Sequence, residues 1–453
     1  MKTKIIIPTI ILSATSVLKA QTIIDSYLTA SPVYTTIGSS THKIAAPRDL
    51  DFKPGTNELW VVNNGTKSNP GSATVTFYNA GKSNQLARWR RDSNASHFIR
   101  MCSAIAFGED GLWANTNESD NGGDNFTGPS LWPSDSNIYA KVHQNDDMLG
   151  SHCDMLHQSP WAMGIAHETK NIYWVFDGNK PNSTLANTIC RYDFAIPHEY
   201  GGDDHSDGSI WRYTDVKVLR VANVPSHMVI DKKTGMLYIA DTGNKRILKL
   251  DIKSGSIGAN ITQSSEKLVS YKKVTGANVS TVASEGLVQP CGIDFSEGRL
   301  IVTDHANGDI IIYDATSNAF TEMGRIKTGS KGIMGVKVGP DGKIWYVDNA
   351  DSKVIRLDPG VPTGIDEFTT DETISLYPNP SNGHFSIQCV LNTHAPITIN
   401  ITDNAGRLID SVLKEGQEGD NLFEFNQQHY APGVYLITLN TGAESHFKKL
   451  VIF

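Results

Sequence analysis

Between Arg48 and Asp358 the hydrophobic and polar positions recur six times in one order. A short apolar strand meets a turn that is usually built on Gly, a second apolar strand closes in Asp or Asn, and a third apolar strand follows. The clearest copies open at His227, Cys291 and Met334 and close at Asp241, Asp304 and Asp348; weaker copies open at Arg48, Ser103 and Met163. The third strands are plainest at Asn244–Asp251, Asn307–Asp314 and Asp351–Asp358, each reached through Gly, Asn or Asp positions that tolerate positive φ. Successive opening residues lie 55, 60, 64, 64 and 43 positions apart. That spacing suits four-stranded blades with loop insertions better than the shorter, more uniform coils of a solenoid. The pattern predicts an all-β chain whose larger part is a six-bladed β-propeller. A strand from Thr22–Thr36 is expected to close the ring and hide its unpaired edge.

The flanks carry other signals. Met1-Lys-Thr-Lys, the apolar run Ile5–Val17 and Leu18-Lys-Ala20 before Gln21 read as a signal peptide over residues 1–20. The run is shorter than the ~20 residues that span a bilayer, and no other segment approaches that length, so no transmembrane helix is expected. The propeller is expected over 21–358, a polar linker over 359–372, and a small antiparallel β-sandwich over 373–453. The formal charge of −8 is spread along the chain, which argues against nucleic acid or a polybasic membrane patch as partner. The chain is expected to act as a monomer. Five cysteines in an exported chain leave at least one unpaired, and buried free thiols are expected for most.

Tyr377-Pro-Asn-Pro-Ser-Asn-Gly383, Gly406-Arg-Leu408, Pro432-Gly-Val-Tyr435 and Lys448-Lys-Leu-Val-Ile-Phe453 resemble the C-terminal sorting domain of the bacterial type IX secretion pathway. The resemblance implies a secreted or outer-surface protein whose partner during export is the type IX secretion machinery, with the propeller as cargo. Ala240-Asp-Thr-Gly-Asn-Lys-Arg-Ile247 resembles the blade signature of NHL-type propellers, which implies a fold over roughly residues 45 to 358 rather than an activity.

Candidate chemistry gathers at the six opening residues, which would ring one mouth of the central channel. His227, Cys291 and Met163 are soft donors suited to zinc or copper, while Arg48 could hold an anionic group; Ser103 and Met334 complete the ring. Propeller lyases that amidate peptides place a Pro-His step at three such positions, and here only Ser226-His227 is similar. Pro290-Cys291 offers a thiol and Ala162-Met163 a thioether, a poor zinc ligand. His152, His157 and His305 are further candidate donors near the same mouth. Asp203, Asp204 and Asp207, in a Gly-rich loop, are candidate oxygen ligands for calcium. Trp132 and Trp211 lie near blade loops, where aromatic faces could stack on a sugar. No Gly-x-Ser-x-Gly elbow, His-Glu-x-x-His helix or phosphate loop occurs. The expected function is recognition of an extracellular glycan, peptide or protein. The alternatives are a metal-dependent propeller enzyme, lyase or hydrolase, and a passive structural surface protein.

Overall fold

The computed structural model describes residues 22–65, 70–120, 127–178, 184–202, 204, 206–262, 266–317, 319–360, 374–391, 393–403, 406–440 and 445–453. The expected signal peptide lies outside these residues, as does most of the expected linker. The chain divides into two compact units, Met1–Pro362 and Thr363–Phe453.

The first unit is a six-bladed β-propeller. Its innermost strands are Pro47–Phe52, Cys102–Phe107, Ala162–Thr169, Met228–Asp231, Pro290–Ser296 and Ile333–Val338, numbered here blades 1 to 6. Each packs against the next, and blade 6 returns to blade 1, so all six surround one axis. Blade 6 is completed by the N-terminal strand Val33–Gly38, which pairs antiparallel with Lys353–Asp358. The closing strand therefore starts later than Thr22–Thr36 predicts, because Ile23–Ser26 form a short helix capped by the Thr22 hydroxyl and the Asp25 carboxylate. That helix also anchors the ring. Asp25 receives Arg299 of blade 5 at 2.6 and 3.0 Å, and Tyr27 Oη donates to the Leu357 carbonyl of blade 6 at 2.6 Å.

Blade 3 carries six strands. A hairpin inserted between the third and fourth strands of blade 4, Ser256–Asn260 with Ser270–Thr275, leaves its own blade. Its second strand pairs parallel with Ser209–Lys217 at the rim of blade 3. The buried Arg212 fastens the join, donating to Tyr271 Oη of the hairpin at 2.8 Å and to the Asp177 carboxylate.

In blades 1, 4 and 5 the Asp or Asn that closes the second strand has a physical task. It holds the loop that feeds the innermost strand: Asp241 Oδ1 accepts the Leu219 amide, and Asp304 accepts those of Val288 and Gln289. Asn63 accepts from Ala45 and donates to the Lys43 carbonyl. A buried carboxylate or amide that satisfies loop N–H groups removes the cost of leaving them unpaired. The hydrophobic cores sit between blades. Leu50, Val61, Val75, Trp345 and Val347 fill one wedge, and Trp60, Trp113, Trp132 and Tyr139 fill the next. All five cysteines are buried and free.

The second unit has a three-stranded sheet (Ile374–Tyr377, His384–Leu391, Gly419–Asn426) and a four-stranded sheet (Leu408–Gly416, Ala395–Asp403, Gly433–Asn440, Ser445–Ile452). Alternate residues such as Phe385, Ile387, Ile399, Ile401 and Ile437 bury between them.

Candidate functional site

The structure separates the six opening residues by where their side chains turn. Met163 and Met334 pack into the wedges between blades. Cys291 is wholly buried, its sulfur 3.3 Å from Thr303 Oγ1 and 3.6 Å from the Ile333 carbonyl, and burial pushes its thiol up to about 12. Ser103 Oγ donates to the Ala162 carbonyl of the next blade. Only Arg48 and His227 reach across the channel. His227 Nε2 donates to the Ser103 carbonyl at 3.0 Å, while Nδ1 faces Asp49 Oδ1 at 3.5 Å. Both groups are buried, and burial moves them in opposite directions: the imidazole falls to about 3 and the Asp49 carboxyl rises to about 7. His227 thus presents a neutral ring, with Nε2 used on a carbonyl.

The other candidate donors have separate partners. His152 Nδ1 lies 2.9 Å from the Leu149 carbonyl and its ring packs on Phe98. His157 Nδ1 pairs with Glu266 Oε2 at 2.7 Å, and His305 Nδ1 with the Ile333 carbonyl at 3.0 Å. Trp132 is a buried wedge stacked on Trp113, its indole N–H on Asn115 Oδ1. Trp211 is half-buried beneath the Arg191 guanidinium. Asp203 lies outside the described residues. Asp204 accepts the Ser206 amide, and Asp207 turns to His198.

Around Arg48 the structure builds a polar mouth where the innermost strands begin. Glu118, directly after the second strand of blade 2, receives Arg48 Nη1 at 2.6 Å, Arg220 Nη2, and the Asn223 amide at 3.0 Å. Arg48 Nη2 donates to Asn223 Oδ1 at 3.2 Å, and Arg48 Nε has no hydrogen-bond partner among the described residues. Two guanidiniums thus share one carboxylate, leaving an excess of one positive charge. Burial lowers the Arg48 pKa against the opposing pull of Glu118. Arg48 and Glu118 are about as buried as core residues, whereas Arg220 keeps 22% of its side chain in solvent over the Trp161 ring, and Asn223 is exposed. The segment before blade 4 reaches over the mouth to blade 1 to make these contacts.

The far end of the channel, where the innermost strands finish, has the opposite balance. Lys337 Nζ stands 3.7 Å from Asp294 and 4.0 Å from Asp51. Burial alone would lower this ammonium, but Asp51, Asp294 and Asp49 outweigh burial and hold it above the ordinary lysine range. The carboxylates also join blades. Asp49 and Asp51 accept the Ile105 and Phe107 amides of blade 2, and Asp294 accepts the Val338 amide of blade 6. Inner edges that lack a ladder partner are satisfied in this way.

Sequence reasoning missed Glu118, Arg220 and Asn223, which lie on segments between the repeats. Asp51, Asp294 and Lys337 did leave a trace: each stands three residues after an opening residue, where Ala106, Ala166 and Ile230 occupy the other blades.

Residues 375–453 match the secretion system C-terminal sorting domain. The C-terminal unit is a sorting domain. It makes the chain cargo of the type IX secretion pathway, destined for the cell surface or the medium. No helix among the described residues is long and apolar enough to cross a membrane. No curated protein matches the chain. Among solved structures it is similar to an auxiliary nutrient binding protein from Bacteroides ovatus (12% identity, 73% of this chain and 77% of the other, TM-score 0.46). It is also similar to a luciferin-regenerating enzyme (12%, 73% and 96%, 0.43) and a glucose dehydrogenase (12%, 73% and 100%, 0.44).

Proposed function

We propose that this secreted propeller is a recognition module that binds a carboxylate-bearing extracellular ligand, an acidic glycan or peptide, at the near mouth of its channel. The observation that carries the reading is the pair of guanidiniums sharing one carboxylate, with Arg220 and Asn223 on the solvent side. A ligand carboxylate would take the remaining donors of Arg220 in a charge-assisted contact, and Arg48 would add to the field from behind. The flat Trp161 ring beneath Arg220 gives the guanidinium a fixed seat. The buried acid–base groups favour binding over turnover. Asp49 and His227 are walled off at mid-channel, and the Cys291 thiol is packed against blade 6.

The test is a titration of the full chain with an oligogalacturonate and with a neutral oligosaccharide of equal length, at low and high salt. Binding of the acidic oligomer alone, weakened by salt, is expected; equal binding of both, or of neither, would overturn the reading. Export is tested separately: deletion of residues 375–453 is expected to leave a folded propeller retained in the cell.

A further inference from the structure

Blade 2 ends in a two-residue edge strand, Asp154–Met155, and the loop after the third strand of blade 3 comes across to it. Two backbone hydrogen bonds fix that approach: the His198 amide donates to the Cys153 carbonyl and the Gly201 amide to the His152 carbonyl, both at 2.8 Å. The His198 imidazole is thereby laid against two carboxylates from different segments. Its Nε2 lies 2.9 Å from Asp207 Oδ1 and 3.9 Å from Asp154 Oδ2, and the three atoms all fall within 4.8 Å of one another. Asp207 is oriented by its second oxygen, which accepts the Ile196 amide at 3.1 Å.

These separations have the scale of a coordination shell. Donors bound at about 2.0–2.2 Å around a tetrahedral ion stand about 3.3–3.6 Å apart. The two separations from His198, 2.9 and 3.9 Å, bracket that range, and the two carboxylate oxygens lie within 4.8 Å of each other, so side-chain shifts of about 1 Å would bring all three onto one ion. The Asp154 side chain is wholly removed from solvent, while His198 and Asp207 are 23% and 31% exposed, which leaves a route for an ion from one side. An imidazole among the donors favours a borderline transition-metal dication over calcium, which takes six to eight hard oxygens.

We propose that Asp154, His198 and Asp207 bind one divalent transition metal of the zinc type, stapling the edge of blade 2 to the loop of blade 3. The site draws one residue from each of two segments rich in metal-ligating side chains, Ser151–His157 and Gly201–Gly208, and a third, His198, from between them. It is independent of the channel mouth and of the acidic ligand proposed there. On binding, the ion takes the His198 Nε2 lone pair, the neutral ring keeps its single proton on Nδ1, and any second proton goes to solvent. Three protein donors leave a fourth position for water.

The experiment strips the full chain with a chelator, titrates it with zinc alone, and reads zinc content and affinity. One zinc per chain is expected, with millimolar calcium failing to displace it. His198→Gln and Asp207→Asn should each weaken binding about tenfold or more, and Asp204→Asn should leave it unchanged. Both test positions are partly exposed, so the metal-free variants should melt with the metal-free parent; a variant that does not is replaced by His198→Asn or Asp207→Ser. Zinc uptake no greater than in His198→Gln, or zinc lost on His227→Gln but kept in His198→Gln, would overturn the assignment.

Discussion

At the near mouth of the channel two guanidiniums, from Arg48 and Arg220, share the single carboxylate of Glu118. At the far end one ammonium, from Lys337, stands between the carboxylates of Asp51 and Asp294. The difference lies in what the majority charge is attached to. The far-end acids sit on innermost strands and accept amides from neighbouring blades, so their charge serves the ring, and Lys337 neutralises what burial makes costly. Near-mouth Arg220 and Asn223 belong to a connecting segment at the solvent side, with Arg220 22% exposed and Asn223 exposed. Charge fixed on a strand reads as architecture, whereas charge carried on a segment between strands is free to serve recognition.

The largest expected effect is at the far end. Lys337→Met removes the cation from among buried carboxylates and should lower propeller stability by about 3 kcal/mol, read from the midpoint of chemical denaturation at neutral pH. A loss below about 1 kcal/mol would mean that the far-end acids are not balanced by this lysine.

A smaller effect separates the two groups at mid-channel. The Asp49 carboxyl is raised, so its contribution is present at low pH and is lost as pH rises from about 4 to about 7. The His227 imidazole is depressed, so its contribution is present above about pH 6.5 and is lost as pH falls toward about 3. The two slopes oppose each other in the parent. His227→Gln should therefore lose stability as pH rises from 4 to 7, and Asp49→Asn should gain it. Parallel profiles for the two variants would contradict this pairing.

The smallest stability change is expected at the near mouth. Arg220→Gln removes a partly exposed guanidinium, and Glu118 keeps Arg48 and the Asn223 amide, so the change should stay within about 1 kcal/mol. A larger loss would make this mouth structural, like the far end.

The fold was legible in the sequence because its punctuation is local. The six opening residues fall within one position of the starts of the innermost strands, since each strand is bracketed by a turn and by the closing Asp or Asn. The closing strand, Val33–Gly38, lies at the end of the Thr22–Thr36 segment because the capping pair Thr22 and Asp25 makes Ile23–Ser26 a helix. The passage of the Ser256–Thr275 hairpin to blade 3 left no local trace; it depends on Arg212 and Tyr271 meeting across blades. Of the ring, Arg48 reads in the sequence as a holder of an anionic ligand, while the structure turns it to the internal carboxylate of Glu118, a partner outside the repeat. Met163, Cys291 and Met334 hold equivalent positions in the repeat, yet their side chains turn into the wedges and toward the neighbouring blade, where size and shape rather than donor chemistry select them.

The claim that the near mouth recognises acidic ligands is tested most directly by titrating three forms of the protein with one oligogalacturonate: the parent, Arg220→Gln, and Lys232→Gln. Lys232 is an exposed lysine at the far end that meets His167. Binding weakened about tenfold or more in Arg220→Gln and unchanged in Lys232→Gln is the predicted result. Equal affinity in the parent and Arg220→Gln, or a loss confined to Lys232→Gln, would contradict it.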